Sequence, residues 1–192
     1  MKKLLAAVAL AILALGHGLP AGAITATGDA APDFTLSTLD GATSYTLSDL
    51  KGQVVYIDFW ASWCGPCRKS FPEVQALQSE YKDRPFQVLA LSLDRRAGDG
   101  LKFIQAQKST LTALFDDGGA VANAYGVRSI PSMFIVGPDG KVAYSTVGFD
   151  PRAMPQIKST IDGLLAQVEG GKGKGASADH GTADRATAER ME

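Results

Sequence analysis

The 192-residue chain is poor in the residues that build most chemical sites: it has two cysteines and two histidines, and its 19 basic side chains are nearly matched by 20 acidic ones. Each scarcity excludes something. A zinc site needs about four Cys or His ligands. The histidines, His17 and His180, fall in an apolar N-terminal run and a polar C-terminal stretch, away from both cysteines. A net charge of −1 gives no basis for nucleic acid or an anionic membrane as partner. No internal repeat is evident. No apolar run reaches the roughly 20 residues that a spanning helix requires.

What the N-terminus does contain is Lys2 and Lys3, an apolar run from Leu4 to Leu15, then Gly16, Pro20 and the small triplet Ala21-Gly22-Ala23. This pattern reads as an export signal over residues 1–23, with cleavage after Ala23. An uncleaved membrane anchor is the alternative. No cysteine follows the signal, so no lipid anchor of the lipoprotein type is expected. Export predicts a periplasmic or other extracytoplasmic location, where disulfides persist and a reduced thiol pair needs a dedicated electron donor. Without Lys2 and Lys3 the chain carries 17 basic and 20 acidic residues, a net −3. What remains is about one domain.

Residues 24–31 are small and polar and read as a flexible leader. Phe34–Leu39, the turn Asp40-Gly41 and Thr43–Leu47 predict a β-hairpin. Ser48 to Gly52 reads as a helical turn. Gln53–Trp60 is almost wholly apolar and β-prone, which predicts a strand covered on both faces. The spacing of Phe71, Val74, Leu77 and Tyr81 predicts a helix from Pro66, with Pro72 inside it. Phe86–Leu93 predicts a second buried strand, and Gly100–Lys108 a helix with Leu101 and Ile104 inward. The alternation implies a parallel sheet with right-handed crossovers. Ala120–Tyr125 is a short helix ended by Gly126. Met133–Val136 and Lys141–Val147 predict an edge hairpin, and Asp150-Pro151 opens a last helix with Met154, Ile157, Ile161, Leu164 and Val168 on one face. The domain spans 32–169, and 170–192 reads as a disordered tail.

Both cysteines lie in Trp60-Ala61-Ser62-Trp63-Cys64-Gly65-Pro66-Cys67-Arg68-Lys69, at a strand-to-helix turn. Two thiols at this spacing can close a disulfide with little backbone movement, so the pair can switch between dithiol and disulfide. Cys64 falls at the helix N-terminus, where unpaired N–H groups and the dipole stabilise a thiolate. It is the candidate nucleophile. Cys67, three residues on, is placed to resolve a mixed disulfide formed at Cys64. The competing readings are weaker: so small a structural loop adds little stability, and half a zinc site lacks its other half.

Asp58 interrupts an otherwise apolar strand six positions before Cys64. If buried, its carboxylate titrates high and can accept the Cys67 proton as general base; a strand-edge aspartate facing water is the alternative. Trp63 is expected to border the reactive sulfur and offer a partner chain an apolar surface, and Trp60 to be core; the reverse assignment is the alternative. Arg68 and Lys69 either favour the Cys64 thiolate or are plain surface charge.

WCGPC after a strand, Pro72 five residues beyond the second cysteine, and the Ile130-Pro131 dipeptide downstream together resemble the thioredoxin family. The span from Pro32 to Val168, with APDFTL, LSDLKGQVVYIDFWASWCGPC and YGVRSIPSMFIVGPDGKV, is similar to its exported TlpA/ResA-like, redoxin-type branch. The resemblance implies an α/β thioredoxin-like fold: a central mixed sheet flanked by helices, with an N-terminal β-hairpin and an extra helix–strand insertion over Arg95–Phe115. It implies the general-base role for Asp58. It also implies a cis bond at Ile130–Pro131, with Pro131 against the disulfide and the backbone of Ile130 pairing with an extended substrate segment; an ordinary trans turn is the alternative. Gly148 resembles the family glycine that lets a substrate backbone approach, though a turn glycine reads nearly as well. One position departs. Members of the branch often carry glutamate where this chain has Ser70, which leaves the acid–base duty to Asp58 alone.

The expected activity is therefore thiol–disulfide exchange with protein thiols and disulfides, needing no cofactor and no metal, by a monomer. Gly65-Pro66 matches the pair of reducing thioredoxins, near −270 mV against about −120 mV for the oxidant DsbA, a gap of about 7 kcal/mol for two electrons. By resemblance the clients are apocytochrome c thiols or copper-site proteins, and the electron source a DsbD/CcdA-type membrane protein. Two other functions fit the sequence less well. Peroxiredoxins share an APDFTL-like opening but keep their reactive cysteine in a threonine-bearing loop absent here, and copper carriers of related fold add a histidine that this domain lacks.

Overall fold

A computed structural model describes residues 24–175 of the chain; the expected export signal lies outside the described residues. The N-terminal hairpin pairs β1 (Thr35–Ser37) antiparallel with β2 (Ser44–Thr46), and Gly41 supplies the positive φ its turn requires. A short 3-10 turn, Leu47–Leu50, follows. The remaining strands are β3 (Val54–Trp60), β4 (Phe86–Ser92), β5 (Thr112–Phe115), β6 (Ser132–Val136) and β7 (Val142–Val147). They form one mixed sheet in the order β5-β4-β3-β6-β7, parallel from β3 to β5 and antiparallel from β3 through β6 to β7.

Every residue of β3 is buried because helices or loops cover both faces. On one face Val54, Tyr56 and Trp60 meet α1 (Gly65–Glu80), α2 (Ala97–Ala106) and α4 (Met154–Gly175) through Phe71, Val74, Phe103, Ile157 and Ile161. On the other, Val55, Ile57 and Phe59 meet the hairpin and α3 (Ala120–Ala124) through Phe34, Val121 and Tyr125. This is the flanked mixed sheet with a hairpin and an inserted helix and strand that the sequence predicts.

The differences have physical causes. In α2 the inward residues are Phe103 and Ile104, with Leu101 only half-buried, because Phe103 enters an aromatic cluster 5.1 Å from Trp60 and 5.3 Å from Phe71 between ring centroids. In α4 the fully buried stripe is Ile157, Ile161 and Leu165, an i, i+4, i+8 series, and Leu164 flanks it half-buried. The leader is not free. Gly28 N–H donates to Val142 C=O (2.8 Å), Val142 N–H to Asp29 C=O (2.9 Å) and Ala31 N–H to Gly140 C=O (3.0 Å), so residues 28–31 cover the edge beside β7. The tail expected from 170 is helical as far as Gly175, since the backbone ladder of a packed helix propagates into a glycine-rich end. Residues 176–192 lie outside the described residues. No helix among the described residues is long and apolar enough to cross a membrane.

Candidate active site

The strand β3 delivers the chain through Ala61–Trp63 to α1, and Cys64 is the N-cap of that helix, with extended backbone (φ −80°, ψ 106°). Gly65 is the first helical residue and Pro66 the second, one position later than the sequence suggests; neither position needs the missing N–H. The cap is the cysteine itself: Cys67 N–H donates to Cys64 Sγ at 3.2 Å. Cys64 and Cys67 are joined in a disulfide with their Cα atoms 5.2 Å apart, and no other cysteine exists. Both are buried, Cys67 completely and Cys64 at 4% exposure.

Asp58 is 2% exposed and lies on the face of β3 shared with Tyr56 and Trp60, the face whose core cluster contains both cysteines. Its paired neighbours, Ala90 on β4 and Met133 on β6, offer it no polar side chain. Oδ2 has no hydrogen-bond partner among the described residues. Burial pushes its carboxyl up from 3.8 to about 7. The phenol of Tyr56 is also driven well above its ordinary value, first by burial and then by the charge of Asp58.

The Ile130–Pro131 peptide bond is cis, and the Ile130 C=O lies 3.7 Å from Cys64 Sγ. In the disulfide form that sulfur carries no proton, so this is a contact; the thiol could donate across it. Gly148 N–H donates to Pro131 C=O at 2.7 Å. Gly148 has φ +81° and no atom within 4 Å of where a Cβ would stand, so its outer side is open. Beside it a cavity of about 210 Å³ is lined by Tyr56, Ser70, Pro131, Met133, Gly148 and Phe149. Ser70 is buried and donates to Cys67 C=O at 3.1 Å. Trp63 stands 66% exposed next to Cys64, whereas Trp60 is fully buried. Thus Cys64, Cys67, Asp58, Trp63, Ile130, Pro131 and Gly148 converge on one end of the sheet.

Two residues near this centre carry more than the sequence suggests. Arg68 donates from Nη2 (2.8 Å) and Nε (3.3 Å) to Ser62 C=O and lies over the Phe103 ring, so its guanidinium is latched to the loop before Cys64. Asp94, just beyond β4, is 4% exposed and accepts from Ser62. No motif marks it. The one signal available was an acid closing an apolar strand. Among the described residues no group of three or more His, Cys, Asp or Glu could hold a metal ion.

The arrangement can therefore stabilise a thiolate at Cys64, pass a disulfide between a partner and Cys67, and hold a proton at Asp58. Comparison with known proteins agrees with that chemistry. Residues 27–145 match the AhpC/TSA family. The thiol-disulfide oxidoreductase ResA of Bacillus thuringiensis (strain Al Hakam) is 30% identical over 141 residues, 73% of this chain and 78% of that protein. Among solved structures, the candidate thiol:disulfide interchange protein DsbE of Chlorobium tepidum is 42% identical with a TM-score of 0.69, covering 73% of this chain and 99% of that one. The pneumococcal exposed lipoprotein thioredoxin Etrx1 of Streptococcus pneumoniae strain TIGR4 is 32% identical with a TM-score of 0.61, over 69% of this chain and 100% of that one.

Proposed function

The chain belongs to the AhpC/TSA family and, with its ResA relatives, to the thioredoxin-like thiol–disulfide oxidoreductases, and from that premise we propose that it is an exported reductase of protein disulfides. The observation that carries the reading is the N-cap cysteine: Cys64 Sγ receives the Cys67 N–H and is joined to Cys67. In the reduced protein the same N–H and the helix terminus favour a thiolate there. That thiolate attacks a client disulfide, forming a mixed disulfide and releasing one client thiolate. Cys67 then gives its proton to the Asp58 carboxylate and attacks Cys64 Sγ. The second client thiolate leaves, the Cys64–Cys67 disulfide forms, and two electrons have passed to the client.

Trp63, the Ile130 backbone, Pro131 and the open side of Gly148 form the surface on which an extended client segment would lie. The reducing direction rests on Gly65-Pro66 between the cysteines. Export rests on the signal-like residues 1–23, and the relative in Streptococcus pneumoniae is itself described as exposed. Apocytochrome c or copper-site thiols are the proposed clients, with a DsbD/CcdA-type membrane protein as electron donor.

The test compares substrates. With a thiol reductant recharging the pair, turnover of a protein disulfide such as insulin is expected, together with negligible consumption of hydrogen peroxide. Peroxide turnover without disulfide reduction would replace this reading with the peroxidase.

A further inference from the structure

We propose that Asp94 is a positioning residue for the redox centre: its carboxylate holds Ser62 through two donors and so fixes the Ser62-Trp63 segment that carries the exposed indole and leads into Cys64. The inference rests on the reading of Cys64 as the attacking thiol.

Asp94 sits two residues beyond β4, and its oxygens are filled from two directions. Oδ1 accepts the Ser62 hydroxyl at 2.6 Å, and Oδ2 accepts the Ser62 N–H at 3.0 Å and the Ser92 hydroxyl at 2.8 Å. Asp94 N–H in turn donates to Ser92 Oγ at 3.2 Å. Ser62 is then gripped from its other side, because its C=O takes the Arg68 fork. Its N–H, hydroxyl and carbonyl are all engaged. The next residue is Trp63, 66% exposed, and the one after is Cys64. The chain enters both through Ser62, and Cys64 is held in addition by its N–H on Ala61 C=O (3.1 Å) and by the disulfide.

Burying a carboxylate is costly unless donors meet it, and two of the groups that meet this one, the N–H and the hydroxyl, belong to the half-buried Ser62. The nearby helix does not use the group. The N-cap of α2 is Arg96, which makes no side-chain cap bond. Yet α2 presses on the cluster: a Cβ at Gly100 would stand 2.9 Å from Ser92 Oγ and 3.1 Å from Asp94 Oδ2. The inserted helix thus approaches so closely that any side chain at Gly100 would press on Ser92 and Asp94. An open cleft beside it is walled by Ser62, Trp63, Asp94 and Arg95, so the carboxylate lies directly behind the surface that meets a client.

The test uses Asp94→Ala, Asp94→Asn, Ser62→Ala and Gly100→Ala, with two readouts that loss of stability alone would not move: KM against kcat for reduction of insulin, and the pH at which the ultraviolet absorbance of the Cys64 thiolate appears in the reduced protein. Asp94→Ala is expected to raise KM about tenfold or more with a smaller change in kcat, and to move thiolate formation to higher pH as the sulfur loses its alignment with the Cys67 N–H. Asp94→Asn keeps one acceptor and falls between. Ser62→Ala and Gly100→Ala shift both readouts less, in the same direction, and decide the matter if Asp94→Ala does not fold. Variants that fold but match the wild type in both readouts overturn the proposal. If the wild type itself fails to reduce insulin, the proposed function falls, while the thiolate titration still judges Asp94.

Discussion

The backbone N–H of Cys67 points at the sulfur of Cys64 across 3.2 Å, so the resolving cysteine also caps the attacking one. When Cys64 carries charge this hydrogen bond becomes charge-assisted and stronger. Cys67 is fully buried and gains no such donor from Cys64. The two thiols are therefore chemically unequal before any client arrives.

That inequality predicts opposite outcomes for the two serine variants. Cys67→Ser should stop after the first attack and accumulate mixed disulfides at Cys64, visible on non-reducing gels and lost with reductant. Cys64→Ser should be inactive and trap nothing. Equal trapping by both variants would mean that the roles are not divided as described.

Asp58 titrates at about 7, so the release step should speed up as pH rises through that value and the carboxylate becomes able to accept the Cys67 proton. Asp58→Asn should slow release of a preformed mixed disulfide by about a hundredfold at neutral pH and abolish this inflection. Stopped-flow measurement across pH 5 to 9, a range of roughly two units either side of the carboxyl's midpoint, checks both. An unchanged profile would remove Asp58 from the chemistry.

The same carboxyl should weaken the oxidised fold as pH rises. Below its unfolded value of 3.8 the group is protonated in both states and adds no pH dependence; between there and about 7 only the unfolded chain loses the proton, so stability falls through this window and stays lower above it. The three-unit gap corresponds to about 4 kcal/mol at most. Asp58→Asn should match the wild type in denaturant unfolding near the acid end of the window and exceed it above the upper end.

The two tryptophans should separate stability from recognition. Trp60 is fully buried against Phe71 and Phe103, so Trp60→Ala should cost about 3–5 kcal/mol. Trp63→Ala should change stability by no more than about 0.5 kcal/mol while raising KM for protein disulfides. A Trp63→Ala enzyme with unaltered KM would take the indole out of client binding.

Local features were readable from the sequence because they rest on local physics. Val54 to Trp60 announces a doubly covered strand by its unbroken apolar run, Asp40-Gly41 announces the hairpin turn, and the cysteine spacing with Pro66 announces a redox pair at a helix start. What escaped depends on contacts between distant segments. The hold of Asp94 on Ser62 spans 32 residues. Phe103 turns inward because Trp60 and Phe71 wait there, which the spacing of Leu101 and Ile104 cannot reveal. Residues 28–31 look like a loose leader, since nothing in small polar side chains tells that the backbone will pair beside β7. The glycines after Glu169 read as a stop, yet the ladder of a packed α4 carries on, and Arg84 ties the helix down at Asp162 and Glu169.

The reduction potential of the Cys64–Cys67 pair, equilibrated against thiol buffers in the protein lacking residues 1–23, tests the central claim most directly. A value near −270 mV, about that of thioredoxin, is expected of a reductase recharged by a membrane donor. A value near −120 mV, about that of DsbA, would contradict it and make the protein a donor of disulfides.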